Sequence, residues 1–154
     1  MAAKTKCTDL SVRKLTPKDA WAYKQIAFGE DLFRYCNFFV ASTLEEAEKR
    51  IQQNNTNYQT LYGLFTKSNR LVAVFLLSAD DAENAVIVHY FVGERYRGNG
   101  YACAGLKLLS GELEYNTFRF EVRKKNESCI RVMEKLGAEF ERSDKRHFYY
   151  AYYC

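Results

Sequence analysis

The stretch Arg97-Gly98-Asn99-Gly100-Tyr101-Ala102 places two glycines between an apolar run and a segment with helical spacing. The preceding run, Ala85–Val92, is rich in β-branched and aromatic residues, which predicts a buried strand. The following segment has one apolar face at the spacing of a helix, formed by Ala102, Leu106, Leu109 and Leu113. The sequence therefore predicts a strand, a glycine turn and a helix in succession.

A glycine turn that leads into a helix can bind phosphate. The first backbone N–H groups of a helix have no helical carbonyl partner, and the helix dipole adds partial positive charge there. Glycine at positions 98 and 100 adopts left-handed backbone angles easily and has no β-carbon to hold a phosphate away. The stretch by itself is compatible with this function and also with a plain tight turn.

Two common phosphate-binding motifs do not fit this stretch. The Walker loop is absent, and the dinucleotide fingerprint requires a third glycine where Cys103 stands. The pattern of Arg or Gln, two residues, Gly, one residue, and Gly or Ala instead resembles the signature of the GNAT superfamily of N-acetyltransferases. Arg97, Gly100 and Ala102 fill this pattern, while Arg95 begins a second, overlapping match. We prefer the register that begins at Arg97.

Length and composition indicate one folded domain. A chain of 154 residues can bury a substantial core, so we predict a single domain over residues 1–154. The absence of an apolar run of about 18 residues and of a signal peptide predicts a cytoplasmic protein without a membrane partner. The five cysteines, at positions 7, 36, 103, 129 and 154, show no close pairing, which favours reduced thiols over disulfides or a metal site.

The net charge of +4 is modest, but basic residues concentrate between positions 119 and 135. Such a cluster is most often solvated surface, and a phosphate contact or a nucleic-acid patch is the alternative. We do not expect nucleic acid to be the partner.

The order of predicted elements is similar to the GNAT fold. Strands are predicted at 10–15, 59–67, 71–78, 85–92, 118–123, 138–143 and 147–153, and helices at 17–27, 43–53, 100–114 and 126–137. The resemblance implies an α/β (α+β) architecture with a central mixed, mostly antiparallel twisted sheet of about seven strands and four helices on both faces. The last strand is apolar on both faces, which predicts a place inside the sheet rather than at its edge.

A second motif supports the resemblance. Asn126 with Cys129, followed by Glu134-Lys135-Leu136-Gly137, resembles the second GNAT motif in the branch that acetylates ribosomal proteins and small amines. In that branch a serine stands at the position of Cys129 and a phenylalanine at that of Ala138. Both differences are mild.

The resemblance implies that acetyl-CoA is the cosubstrate and that a primary amine attacks its thioester directly. The backbone from Arg97 to Ala102 would wrap the pyrophosphate, and the pantetheine arm would pair with the splayed end of the fourth strand. The implied cofactor-binding residues are Phe91, Val92, Gly93, Arg97, Gly98, Asn99, Gly100, Tyr101, Ala102 and Asn126. The implied catalytic residues are Val92, whose N–H would hold the oxyanion, with Asn126 and Cys129, and no metal is expected.

The proton donor is not identified by the motif. Many family members have a tyrosine seven residues after the asparagine, but Met133 stands there and cannot donate a proton. Side chains in the predicted site segments that can donate are Tyr90, Tyr101, Ser128 and Cys129.

Two functions are compatible with these observations. The first is an N-acetyltransferase for protein or peptide N-terminal α-amines or small amines, acting as a monomer or homodimer. The preference for α-amines follows from the absence of an evident strong base, since a lysine amine is seldom neutral near pH 7. The alternative is a non-catalytic GNAT-fold module that binds or senses CoA, which the missing tyrosine favours.

Overall fold

The computed structural model describes residues 9–28, 38–80 and 84–154. Within these ranges the chain forms four α-helices and seven strands. The helices are α1 (Ala20–Ile26), α2 (Leu44–Asn54), α3 (Tyr101–Glu112) and α4 (Glu127–Leu136). The strands are β1 (Ser11–Lys14), β2 (Gln59–Phe65), β3 (Leu71–Asp80), β4 (Ala85–Val92), β5 (Thr117–Arg123), β6 (Glu139–Ser143) and β7 (His147–Tyr153).

The strands form one mixed sheet in the order β1-β2-β3-β4-β5-β7-β6. Neighbouring strands are antiparallel except β4 and β5, which are parallel because α3 carries the chain across between them. Their ladder joins residues 85–87 to residues 117–119 and ends there, so the remaining halves of the two strands diverge. The fold class predicted from the sequence is confirmed, and the divergence leaves a gap in the middle of the sheet.

Each face of the sheet carries its own hydrophobic cluster. One cluster packs α1 and α2, through residues such as Tyr23 and Ile51, against β2, β3 and β4. The other packs α3 and α4, through Leu106 and Met133, against strands that include β5 and β7. The helices therefore lie on both faces, two on each.

Helix boundaries follow the sequence signals closely. Asn126 caps α4 and Gly137 ends it in the left-handed conformation, with φ at 81°. The first helix differs from the prediction, because residues Pro17–Asp19 form a 3-10 turn and the α-helix begins only at Ala20. The Asp19 carboxylate accepts the Thr16 N–H at 2.8 Å, which holds this first turn tight. The sequence predicts that Gly29 terminates this helix just after residue 27, and Gly29 lies outside the described residues.

The last strand lies inside the sheet, as predicted, between β5 and the edge strand β6. Its even-numbered residues, such as Tyr150, face the cluster under α4. On β5 the residues facing that cluster are Phe118, Phe120 and Val122. The odd-numbered residues of β5 and β7 point to the opposite side and belong to neither hydrophobic cluster. We call this side the open face. It carries Thr117, Arg119, Glu121, Arg123, His147, Tyr149, Ala151 and Tyr153.

Three of the five cysteines lie in the described ranges, and each of them, Cys103, Cys129 and Cys154, is a free thiol. The other two lie outside the described residues. No helix in the described ranges is both long and apolar enough to cross a bilayer. Across those same ranges, no group of three or more His, Cys, Asp or Glu side chains is arranged to hold a metal ion.

Candidate active site

A groove of about 490 Å³ lies where the end of β4, the start of α3 and the start of α4 meet. Its lining combines aromatic, glycine and basic positions from these three elements. The residues are Tyr90, Phe91, Val92, Tyr96, Arg97, Gly98, Gly100, Tyr101, Ala102, Cys103, Lys125, Asn126, Glu127, Ser128, Cys129, Arg131, Val132 and Lys135. The groove is therefore built by the two segments that carry the sequence motifs.

The glycine turn presents bare backbone to the groove. Gly98 and Gly100 have φ values of 80° and 77°, in the left-handed region that favours glycine. A β-carbon added to either would meet no atom within 4 Å, so it would point into open space. Gly100 is the N-cap of α3, and the first N–H groups of that helix therefore face the groove without a β-carbon in front of them.

Most of the predicted cofactor residues line this groove, but two do not. The Asn99 side-chain amide donates to the Tyr96 carbonyl at 3.0 Å. This hydrogen bond stabilises the turn, and Asn99 does not line the groove. A β-carbon on Gly93 would lie 2.9 Å from Ile26, so this glycine allows β4 to pack closely on α1. Both residues shape the groove without lining it.

The structure also separates the two candidate arginines. Arg97 lines the groove, whereas Arg95 lines a second cavity of about 650 Å³ between α1 and the β2–β3 turn. Tyr96 lies between them and lines both cavities. The register that begins at Arg97 is the one whose arginine faces the glycine turn.

The edge of β4 at the gap offers backbone groups to a ligand. The Gly93 N–H donates to the Val72 carbonyl of β3 at 2.9 Å. Because N–H directions alternate along a strand, the N–H of Val92 points to the other side, toward the gap. The Arg97 Nε donates to the Val92 carbonyl at 3.4 Å, which brings the arginine to the same edge.

A tyrosine and a cysteine meet beside this edge. The Tyr90 hydroxyl lies 3.0 Å from the Cys129 sulfur, although the two residues are 39 positions apart. Burial raises the pKa of the Cys129 thiol to about 11, with the Tyr90 hydrogen bond opposing the shift. The thiol is therefore protonated at neutral pH. Asn126 accepts the Cys129 N–H at 3.2 Å, so the Asn126 side chain serves to cap α4 in this structure.

Met133, which replaces the usual tyrosine, is fully buried in the cluster under α4. We expect Met133→Tyr to lower the free energy of unfolding by about 1–3 kcal/mol, because the larger ring overpacks the core and its hydroxyl needs a partner. Thermal unfolding measures the loss. Met133→Leu conserves volume and is the control, with an expected loss below about 1.5 kcal/mol. An equally stable tyrosine variant would contradict this packing role.

Three of the clustered basic residues line the groove: Lys125, Arg131 and Lys135. Arg119, from the same cluster, instead forms an ion pair with Glu141 at 2.9 Å on the open face. The groove thus combines helix N-termini with positive side chains, an environment that suits a polyanionic ligand.

Comparisons with known proteins agree with this geometry. The family model described as "Acetyltransferase (GNAT) domain" matches residues 9–139. A GNAT-family acetyltransferase from Bacillus anthracis has a TM-score of 0.78 at 22% identity, with 94% of this chain and 95% of that chain covered. The ribosomal-protein-S5-alanine acetyltransferase from Vibrio fischeri has a TM-score of 0.74 at 16% identity, with 94% of this chain and 93% of that chain covered. The spermidine N-acetyltransferase from Vibrio cholerae, solved with CoA and spermine, has a TM-score of 0.78 at 12% identity, with 95% of this chain and 96% of that chain covered.

A search of curated protein sequences gives no match. The family model nevertheless covers most of the chain, so this protein belongs to the GNAT acetyltransferase family. The family predicted from the glycine signature is confirmed. Membership assigns the chain to the acetyl-CoA-dependent N-acetyltransferases.

Proposed function

We propose that the groove binds acetyl-CoA with its pyrophosphate on the glycine turn and its thioester at the gap between β4 and β5. The observation that carries this proposal is the convergence of two left-handed glycines, the N-terminus of α3 and the end of β4 beyond its ladder with β5 in one groove. Backbone N–H groups at the helix end would bind the phosphates. Lys125, Arg131 and Lys135 add positive charge along the same groove.

Catalysis in this proposal needs no covalent enzyme intermediate. The neutral amine attacks the thioester carbon, and the Val92 N–H, which points toward the gap, stabilises the oxyanion. As the intermediate collapses, the C–S bond breaks and the C–N bond remains. The amine gives up one proton, and the departing thiolate takes one.

Tyr90 is the proton donor we assign to the thiolate, with Cys129 holding its hydroxyl in place. Their contact at 3.0 Å lies in the groove beside Val92. A phenolic O–H is a better donor than a thiol, which donates only weakly. Cys129 therefore acts here as a positioning residue, and Tyr90 takes the role that Met133 cannot fill.

The acceptor we propose is a primary amine, either the α-amine of a peptide or protein N-terminus or a small amine. The solved neighbours include proteins described as acting on the N-terminal serine of a ribosomal protein and on spermidine. At pH 7.4 an α-amine of pKa about 8 is neutral in roughly one molecule in five, and a lysine of pKa about 10.4 in about one in a thousand. Attack requires the neutral form.

We therefore expect faster acetyl transfer to an unblocked peptide without lysine than to an N-blocked peptide that contains lysine. Released thiol, followed from pH 6.5 to 9 with each peptide, measures the preference. A preference for the lysine peptide at every pH would contradict the proposed ranking. Tight CoA binding without turnover of any amine would favour the alternative of a CoA-sensing module.

A further inference from the structure

The second cavity, of about 650 Å³, has no part in the proposed function. It lies where α1, the β2–β3 turn and the 3-10 turn Glu94–Tyr96 meet. Its lining shares only Tyr96 with the lining of the cofactor groove. Sites that bind small molecules have volumes of about 300–1,000 Å³, so this cavity is large enough for a ligand of its own.

Exposed aromatic rings line the second cavity. Trp21 on α1 is 65% exposed, and Phe28, just after that helix, is 40% exposed. Trp21 belongs to neither hydrophobic cluster, so its ring does not contribute to the core. Tyr96 adds a third ring, and a β-carbon on Gly93 would lie 3.0 Å from its Cδ2 atom. A planar ligand that stacks on the Trp21 ring would remove apolar surface from water.

Two arginines bring positive charge to the same cavity. The β2–β3 turn fixes the backbone of Arg70, whose N–H donates to the Thr66 hydroxyl at 3.2 Å and whose carbonyl accepts the Thr66 N–H at 3.0 Å. Arg95 lies in the 3-10 turn that the Tyr96 N–H closes by donating to the Gly93 carbonyl at 2.8 Å. Among the described residues, neither guanidinium has a hydrogen-bond or ion-pair partner, so both are available to a ligand.

The charge of the lining is positive overall. Lys24, Arg70 and Arg95 stand against one carboxylate, that of Glu94, which leaves two positive charges. The Lys24 ammonium donates to the Ser42 carbonyl at 3.2 Å, so the two arginines are the cations left for a ligand. A guanidinium matches phosphate oxygens with two parallel N–H donors, and a carboxylate can accept from sugar hydroxyl groups.

We propose that the second cavity binds a nucleoside monophosphate, with its base stacked on Trp21 and its phosphate paired with Arg70 and Arg95. Glu94 accepts from the ribose hydroxyl groups. A phosphate monoester carries about two negative charges at pH 7, which matches the two positive charges of the lining. The site is separate from the cofactor groove, so the nucleotide and CoA bind at the same time.

The chain has one tryptophan, so tryptophan fluorescence reports on this cavity directly. AMP, GMP, CMP and UMP are each titrated into the protein, with saturating CoA and without it. We expect saturable quenching of Trp21, with an affinity that CoA leaves unchanged. Adenosine and inorganic phosphate each carry only one half of the ligand and should bind about tenfold more weakly than AMP, or worse.

Three results would contradict this site. The first is that none of the four nucleotides gives saturable quenching or heat of binding. The second is quenching by nucleotide only in the absence of CoA, which would mean that CoA itself occupies the second cavity. The third is quenching by an acidic peptide and by none of the nucleotides, which would assign the cavity to a protein partner.

Calorimetry with substituted proteins tests the individual contacts. Arg70→Gln, Arg95→Gln and Trp21→Ala should each weaken AMP binding about tenfold or more. Arg146→Gln removes the same charge from the β6–β7 turn, which lines neither cavity, and should leave AMP affinity unchanged. All four side chains are exposed, so thermal stability and CoA affinity should stay at the wild-type values. Wild-type AMP affinity in both Arg70→Gln and Arg95→Gln would overturn the assignment of the phosphate to these arginines.

Discussion

Gly100→Val should weaken CoA binding 100-fold or more while leaving a folded protein. The added β-carbon would project into open space in front of the α3 N-terminus and would keep a phosphate from the backbone N–H groups. Losing two or three amide contacts to a charged ligand, at about 1.5–3 kcal/mol each, accounts for this loss. Isothermal titration calorimetry with CoA measures it.

The matched control for this variant is Gly137→Val. Gly137 has nearly the same backbone angle, with φ at 81°, and an added β-carbon there also meets nothing within 4 Å. It lies at the C-terminus of α4 and does not line the groove. Both variants should lose about 1–2 kcal/mol of stability from the left-handed backbone, and only Gly100→Val should lose CoA affinity. Unchanged CoA affinity in a folded Gly100→Val protein would refute the phosphate-loop assignment.

Tyr90→Phe should reduce kcat by at least 100-fold with little change in CoA affinity. The variant removes the hydroxyl that contacts Cys129 and keeps the ring that stacks on Phe75, with centroids 6.0 Å apart. Loss of a general acid typically costs 10²–10⁴-fold in rate, and the loss should appear equally in kcat and kcat/KM. Steady-state kinetics with an unblocked peptide, together with calorimetric CoA affinity, measures both quantities.

Two further variants decide between the possible donors. Tyr101→Phe makes the same change at another groove tyrosine and should retain turnover within a few fold. Cys129→Ala removes the thiol and should cost less than Tyr90→Phe, because Tyr90 keeps its hydroxyl. If Cys129→Ala abolished turnover while Tyr90→Phe did not, the thiol itself would be the donor and our assignment would be wrong.

Local sequence patterns were sufficient for the elements and for the family. Apolar periodicity, the Asn126 cap and the Gly137 terminator act over a few residues, so helix and strand positions could be predicted from neighbouring positions alone. The glycine signature likewise lies within one turn, and the match over residues 9–139 confirms the family it predicts. The start of the first helix was placed incorrectly because the Asp19 carboxylate, bonded to the Thr16 N–H, tightens a 3-10 turn there.

The arrangement of the groove depended on the tertiary structure. Spacing could not decide between Arg95 and Arg97, because only the packing of the β4–α3 connection sends one arginine into the groove and the other to a separate cavity.

The contact proposed for proton transfer joins residues far apart in the chain. Tyr90 meets Cys129 because the end of β4 and the start of α4 come together in one groove. Such contacts depend on strand register and on the divergence of β4 from β5, which are set by packing across the whole sheet. The sequence determined the elements and the phosphate turn, since these are local, whereas tertiary packing decided which side chains face the gap.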